Sequence, residues 1–172
     1  MTSTTKSAND DLLIACRKQL DGFFAAYPNP TLNKRAAEVI AGGNFHVNAM
    51  TDVTGFGMIG HAREMTLASD VSISISAGSV PLLAGALECV QAGYIPGGLK
   101  NNRDFAECLV EYDSDVPDDL RALLFDPQTA GGLLISTPDG SSLTSALRDA
   151  GVPAVQIGEV FENAKPGIRV RR

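Results

Sequence analysis

The chain has 172 residues, 44% of them hydrophobic and 20% charged, which is one domain's worth of sequence with a sizeable core and not the composition of a disordered chain. A formal net charge of −6 without any basic stripe excludes a nucleic-acid surface, because a phosphate backbone would be repelled. Three cysteines at wide spacing, Cys16, Cys89 and Cys108, make neither a disulfide framework nor a zinc site. No stretch reaches the ~18 apolar residues of a membrane span, and residues 1–11 lack a signal-peptide core, so no membrane partner and a cytoplasmic location are expected.

Residues 1–10 are rich in Ser, Thr, Lys and Asn and read as a frayed lead. Leu12, Leu13, Ala15, Cys16, Leu20, Phe23 and Phe24 recur at helical spacing until Pro28-Asn29-Pro30 stops the pattern. A second helix is expected over residues 31–41, ended by Gly42-Gly43. Phe45, Val47 and Ala49 alternate with His46 and Asn48 as a strand that enters Thr51-Asp52, and a helix follows over residues 55–68. Val71, Ile73 and Ile75 alternate with serines as a half-buried strand whose serine face is expected toward solvent or a partner.

Residues 81–92 read as a helix with Pro81 in its first turn. Residues 93–107, carrying Pro96-Gly97-Gly98 and Asn101-Asn102, read as a long loop, and loops that long usually have a role. A helix over residues 117–124, a buried strand over 132–136, a helix over 140–150 and strands over 155–160 and 168–170 complete the chain, with Arg169, Arg171 and Arg172 ending in solvent. The alternation lacks the steady rhythm of a doubly wound sheet. The expected fold is α+β, a mixed sheet with helices packed on one face, with residues 1–30 as a variable lead and helix before a single domain over residues 31–172.

Gly55-Phe56-Gly57-Met58-Ile59-Gly60 satisfies the G-x-G-x-x-G pattern of dinucleotide-binding turns. That pattern requires a carboxylate at the far end of the next strand, whereas Asp70 precedes the strand at Val71 and points to the wrong edge. The preceding strand is also interrupted by His46, Asn48, Thr51 and Asp52, unlike a central parallel strand. What stands out instead is Thr51-Asp52-Val53-Thr54, a carboxylate between hydroxyls directly before the glycines. Asp52 is either a Mg²⁺ ligand beside a nucleotide phosphate, since Mg²⁺ takes one or two carboxylates with water and phosphate oxygens, or, like Thr54, a cap on the following helix.

Thr51-Asp52-Val53-Thr54-Gly55-Phe56-Gly57, then Gly60-His61 and Glu64-Met65, are followed in order by Val80-Pro81, Gly85-Ala86-Leu87-Glu88, Pro96-Gly97-Gly98 and Asn102. Asp126-Pro127-Gln128-Thr129-Ala130-Gly131-Gly132 and Ile157-Gly158-Glu159-Val160 come next. In this combination the chain resembles, over residues 31–172, the C-terminal domain of selenophosphate synthetase (selenide, water dikinase), a member of the aminoimidazole ribonucleotide synthetase-like superfamily. The resemblance implies transfer of the ATP γ-phosphoryl group to selenide, giving selenophosphate, AMP and phosphate, with ATP and Mg²⁺ as cofactors.

It further implies that Asp52 contributes to a metal-phosphate site whose corner is shaped by Thr51, Thr54, Gly55 and Gly57. Asn102, Gln128 and Thr129 are candidates either for lining that site or for stabilising turns, and Gly97, Gly98, Gly131 and Gly132 for backbone reasons. His61 is expected to pack or hydrogen-bond, and no catalytic residue is assigned. Leu99 departs from the family, which usually has a hydroxyl residue there, so polar contacts are not expected at that position.

The family's reactive Cys or selenocysteine, its Lys and most of its metal-binding aspartates belong to an N-terminal domain. The expected partner is therefore an N-terminal domain or subunit. Family members dimerise through that domain, which leaves this chain with an exposed docking face. Two readings follow: part of an ATP-dependent selenide phosphotransferase that is inactive without its N-terminal domain, or a stand-alone, non-catalytic module that binds a nucleotide or a synthetase subunit.

Overall fold

A computed structural model describes residues 10–15, 32–129, 131–163 and 165–172. Its elements are β1 (Asp10–Ala15), α1 (Leu32–Gly42), β2 (Ala49–Asp52), α2 (Gly57–Ser69), β3 (Ser72–Ser76), α3 (Ala86–Gln91) and α4 (Gly97–Ala106). Then follow β4 (Val110–Tyr112), α5 (Asp118–Leu123), β5 (Leu133–Thr137), α6 (Gly140–Asp149), β6 (Ala154–Phe161) and β7 (Gly167–Arg171). The described strands form one mixed sheet in the order β2-β5-β1-β6-β3-β7-β4. Pairing is antiparallel from β2 to β3 and parallel where β7 joins β3 and β4. The fold is α+β, as expected.

Helices cover both faces of the sheet, not one. Successive residues of a strand point to opposite sides, and β5 shows the consequence. Leu134 joins a core with Ile73, Ile75, Ile157 and Ile168, roofed by Met58, Ile59 and Ala62 of α2, Leu99 and Ala106 of α4, and Phe125 after α5. Leu133 and Ile135 face the other way and pack with Ala154 against Ala36 of α1 and Leu143 and Leu147 of α6. A strand buried on both sides needs no polar face, hence the unbroken apolar run Leu133-Leu134-Ile135.

Several sequence expectations change. Asp10–Ala15, expected to end a frayed lead and begin a helix, is a strand antiparallel to both β5 and β6. Its run of consecutive apolar residues suits helix and strand equally, and hydrogen bonding on both edges decides for the strand. The rest of that expected helix, residues 16–24, lies outside the described residues.

Residues 97–106, expected as loop, form α4. Gly and Asn are poor helix formers, but Leu99, Asn102 and Ala106 recur at helical spacing and are all buried, and that packing outweighs propensity. Leu99, 3% exposed, belongs to the core, which accounts for an apolar side chain at this position.

The serine face of β3 is not open: Ser72 and Ser74 are buried, Ser72 Oγ donates to the Lys165 carbonyl, and Arg171 Nε donates to Ser76 Oγ. Arg169 and Arg171 do not simply end in solvent, because they pair with Asp113 at 2.9 Å and Glu159 at 3.6 Å. Strand β4 was not expected, and the expected strand over 45–52 and helix over 81–92 shorten to β2 and α3. No helix among the described residues is long and apolar enough to cross a membrane.

Candidate functional site

Strand β2 lies at the edge of the sheet and runs antiparallel to β5, with Asp52 opposite Leu133. The segment leaving β2 and the segment entering β5 therefore meet at one end of the sheet. Backbone hydrogen bonds join them: Val53 N–H to Gly132 O at 2.9 Å, Gly131 N–H to Val53 O at 2.8 Å, and Gln128 N–H to Thr54 O at 3.1 Å. Two runs separated by more than seventy positions in the sequence thus form one structure.

Helix α4 brings in the third run. Asn102, 8% exposed, donates Nδ2 hydrogens to Gly55 O at 2.8 Å and Phe125 O at 3.0 Å. At the start of the same helix, a Cβ on Gly98 would lie 3.1 Å from Pro127 Cγ, so Pro96-Gly97-Gly98 seats against Asp126-Pro127. Gly57 has φ of +70°, and a Cβ there would lie 2.8 Å from the Phe125 carbonyl. Only glycine combines that dihedral with that approach.

The Asp52 side chain is exposed at the end of β2. Among the described residues no side chain caps α2, whose N-cap position is Phe56, so neither Asp52 nor Thr54 serves as the helix cap. Thr51 is half-buried, with Oγ1 donating to Asp52 O at 3.2 Å. Thr54 is engaged by His61, whose Nε2 accepts the Thr54 N–H at 3.0 Å and lies 3.1 Å from Thr54 Oγ1.

Burial pushes the His61 pKa below its ordinary value, against the opposing pull of Asp52 and Glu64, and the ring is neutral near pH 7. Gly55 is exposed, with open space where a Cβ would be. Gln128 is half-buried and donates Nε2 to Asp126 Oδ2 at 2.8 Å, while Thr129 is exposed. Burial raises the Asp126 pKa, partly offset by that hydrogen bond.

Two features of this corner escaped the sequence. One is the return of the His61 ring onto Thr54, for which spacing gives no signal. The other is the aromatic surface beside it: Phe56, 57% exposed, stacks on Phe105 with centroids 6.1 Å apart, and the Arg63 guanidinium lies 4.3 Å from the Phe105 ring. Phe105 was hidden in a segment read as loop. No group of three or more His, Cys, Asp or Glu side chains able to hold a metal occurs among the described residues. Asp52 is an exposed carboxylate, which could supply one oxygen ligand to a divalent cation.

Residues 18–171 match the family described as AIR synthase related protein, C-terminal domain, and the chain belongs to that family. Within it the chain is similar to selenide, water dikinases. The enzyme of Myxococcus xanthus is 42% identical over 142 residues, covering 81% of this chain and 40% of the relative. That of Pelobacter propionicus is 46% identical over 134 residues, covering 76% and 38%.

The chain spans about two fifths of the length of the curated relatives it matches. Among solved structures, T. maritima PurL complexed with ATP has a TM-score of 0.59 at 15% identity, covering 98% of this chain and 24% of PurL. E. coli HypE, a hydrogenase maturation protein, has a TM-score of 0.57 at 19% identity, covering 96% and 47%. At such identities these two likenesses concern the fold.

Proposed function

We propose that this chain forms the C-terminal part of an ATP-dependent selenide phosphotransferase, which converts selenide, ATP and water to selenophosphate, AMP and phosphate. The observation that carries the reading is the convergence of Thr51–Gly57, Asp126–Gly132 and Pro96–Asn102 on one end of the sheet with Asp52 exposed at its tip. Identity of 42–46% to selenide, water dikinases supports the substrate class.

In this reading Asp52 would hold Mg²⁺, which when bound neutralises charge on the transferring phosphate. Thr51, Thr54, Gly55 and Gly57 shape the corner beside the phosphates, and Gln128 and Thr129 line it from the facing segment. Asn102 acts one step back, by holding Gly55 and Phe125 together. Phosphoryl transfer depends mainly on positioning and electrostatics, which a set of backbone-pinned turns provides.

The reactive Cys or selenocysteine and the Lys that the resemblance assigns to an N-terminal domain would come from that domain, joined to this chain or separate. The half-exposed Phe56, beside the His61 ring, and Phe105, stacked on Phe56, suit contact with it. The test is selenide-dependent ATP consumption with Mg²⁺, by this chain alone and together with the N-terminal domain of a relative. Turnover only with both supports the reading. Turnover by the chain alone overturns its dependence on the other domain, and ATP binding without turnover in either case favours a non-catalytic module.

A further inference from the structure

The turn after β2 is held mostly by groups that cannot titrate near neutrality. Val53 bonds to Gly131 and Gly132, Thr54 O accepts from the Gly57 and Gln128 N–H groups, and Gly55 O accepts from the Asn102 amide. The Thr54 N–H differs, because it donates to His61 Nε2 at 3.0 Å. A backbone N–H only donates, so Nε2 must present its lone pair and the neutral ring carries its proton on Nδ1. The Thr54 hydroxyl, 3.1 Å away, shares the same lone pair. An imidazolium has hydrogens on both nitrogens and would set one against the Thr54 N–H.

We propose that His61 is a positioning residue for the metal-nucleotide corner: by accepting the Thr54 N–H it locks residues 53–55 in the conformation that presents Asp52 and the Thr54 hydroxyl. This rests on the reading of Asp52 as a metal-phosphate ligand. The ring is itself held in place, one turn into α2 and with the Phe56 ring centroid 5.9 Å away. The charged groups that act on it are Asp52 of β2 and Glu64 of α2, both favouring protonation, while the larger effect of burial favours the neutral form. The folded state therefore prefers the unprotonated ring, so the bond is complete above the ordinary value of 6.5 and is lost as the pH falls below it through the lowered folded value.

The experiment measures amide hydrogen exchange at Thr54 in the chain as it stands, and Mg-ATP affinity in the chain combined with the N-terminal domain. It uses His61→Ala and His61→Gln, because Gln Oε1 accepts a hydrogen bond without titrating. His61→Ala should lower the Thr54 protection factor roughly five- to tenfold, the size of one net hydrogen bond, and His61→Gln should restore it. The wild-type protection should fall below pH 6.5, and that of His61→Gln should not.

Mg-ATP affinity should follow the same order. Unchanged Thr54 protection in His61→Ala, or no recovery in His61→Gln, overturns the proposal. If His61→Ala does not fold, the pH series of wild type against His61→Gln decides alone. Protection in the expected order with Mg-ATP affinity indifferent to Asp52→Asn overturns instead the reading of Asp52.

Discussion

Gly57 meets the carbonyl of Phe125 so closely that a Cβ on Gly57 would lie 2.8 Å from both its carbon and its oxygen, with Asp126 O at 3.0 Å. Just beyond, the Ile59 N–H donates to Leu124 O at 3.1 Å. The start of α2 is thus pressed onto the end of α5, and this contact sets the distance between the two motif segments.

Gly57→Ala should therefore destabilise the fold by about 2–4 kcal/mol, combining the penalty of a left-handed alanine with a backbone collision. Gly55→Ala, two residues earlier and with open space at its Cβ position, should stay within about 0.5 kcal/mol. Urea unfolding of both variants checks the contrast, and equal losses would contradict it.

Asn102 ties Gly55 and Phe125 with one amide. Asn102→Ala should cost about 1–3 kcal/mol, because the buried Phe125 carbonyl loses its donor, whereas the carbonyl of the exposed Gly55 can be rehydrated. Asn102→Asp keeps the shape but presents acceptors to acceptors, so at pH 7 it should cost at least as much. Thermal unfolding distinguishes this from a surface asparagine, for which neither change would matter.

Asp52 is exposed and caps no helix, so Asp52→Asn should leave stability within about 0.5 kcal/mol. Selenide-dependent ATP use by the chain combined with the N-terminal domain should nevertheless fall roughly a hundredfold, as when one preorganised electrostatic contact to a reacting group is lost. Parallel melting curves and turnover assays check the separation, and undiminished turnover would remove Asp52 from the site.

Burial pushes the Tyr112 phenol from 10.0 up to about 12, with Glu107 adding to the effect and Arg103 and Arg121 opposing it. The folded chain therefore keeps a proton that the unfolded chain has released, and stability from this group is lost as the pH rises from 10.0 through about 12. Tyr112→Phe should abolish that alkaline decline. Because the hydroxyl is buried without a hydrogen-bond partner among the described residues, the same change at pH 7 should be neutral or stabilising by up to about 1 kcal/mol. Denaturant midpoints across pH 7–12 test both parts.

Much of the architecture was legible along the chain. Helical spacing after residue 31, the apolar run at Leu133-Leu134-Ile135 and the glycine-rich step into α2 each record a local requirement that survives in the fold. Segments that fit two conformations were not legible. Asp10–Ala15 became a strand because β5 and β6 both bond to it, and residues 97–106 became a helix because Leu99, Asn102 and Ala106 found a core. Similarly, alternation in β3 exposed no serine face: Ser72 and Ser74 are buried, with the long side chains of Glu159 and Arg169 on the strands to either side of Ser74.

The sequence by itself determined the family and the residue types available at the corner, because spacing within a motif is local and is preserved in the order of the chain. Only the tertiary structure decided what those residues do to one another. It turned Asn102 inward onto two carbonyls, brought His61 back onto Thr54 and left Asp52 facing solvent. These outcomes depend on the antiparallel pairing of β2 with β5 and on the seating of α4 against Pro127. Contacts between distant segments are fixed by packing and hydrogen-bond satisfaction over the whole domain, and no local spacing encodes them.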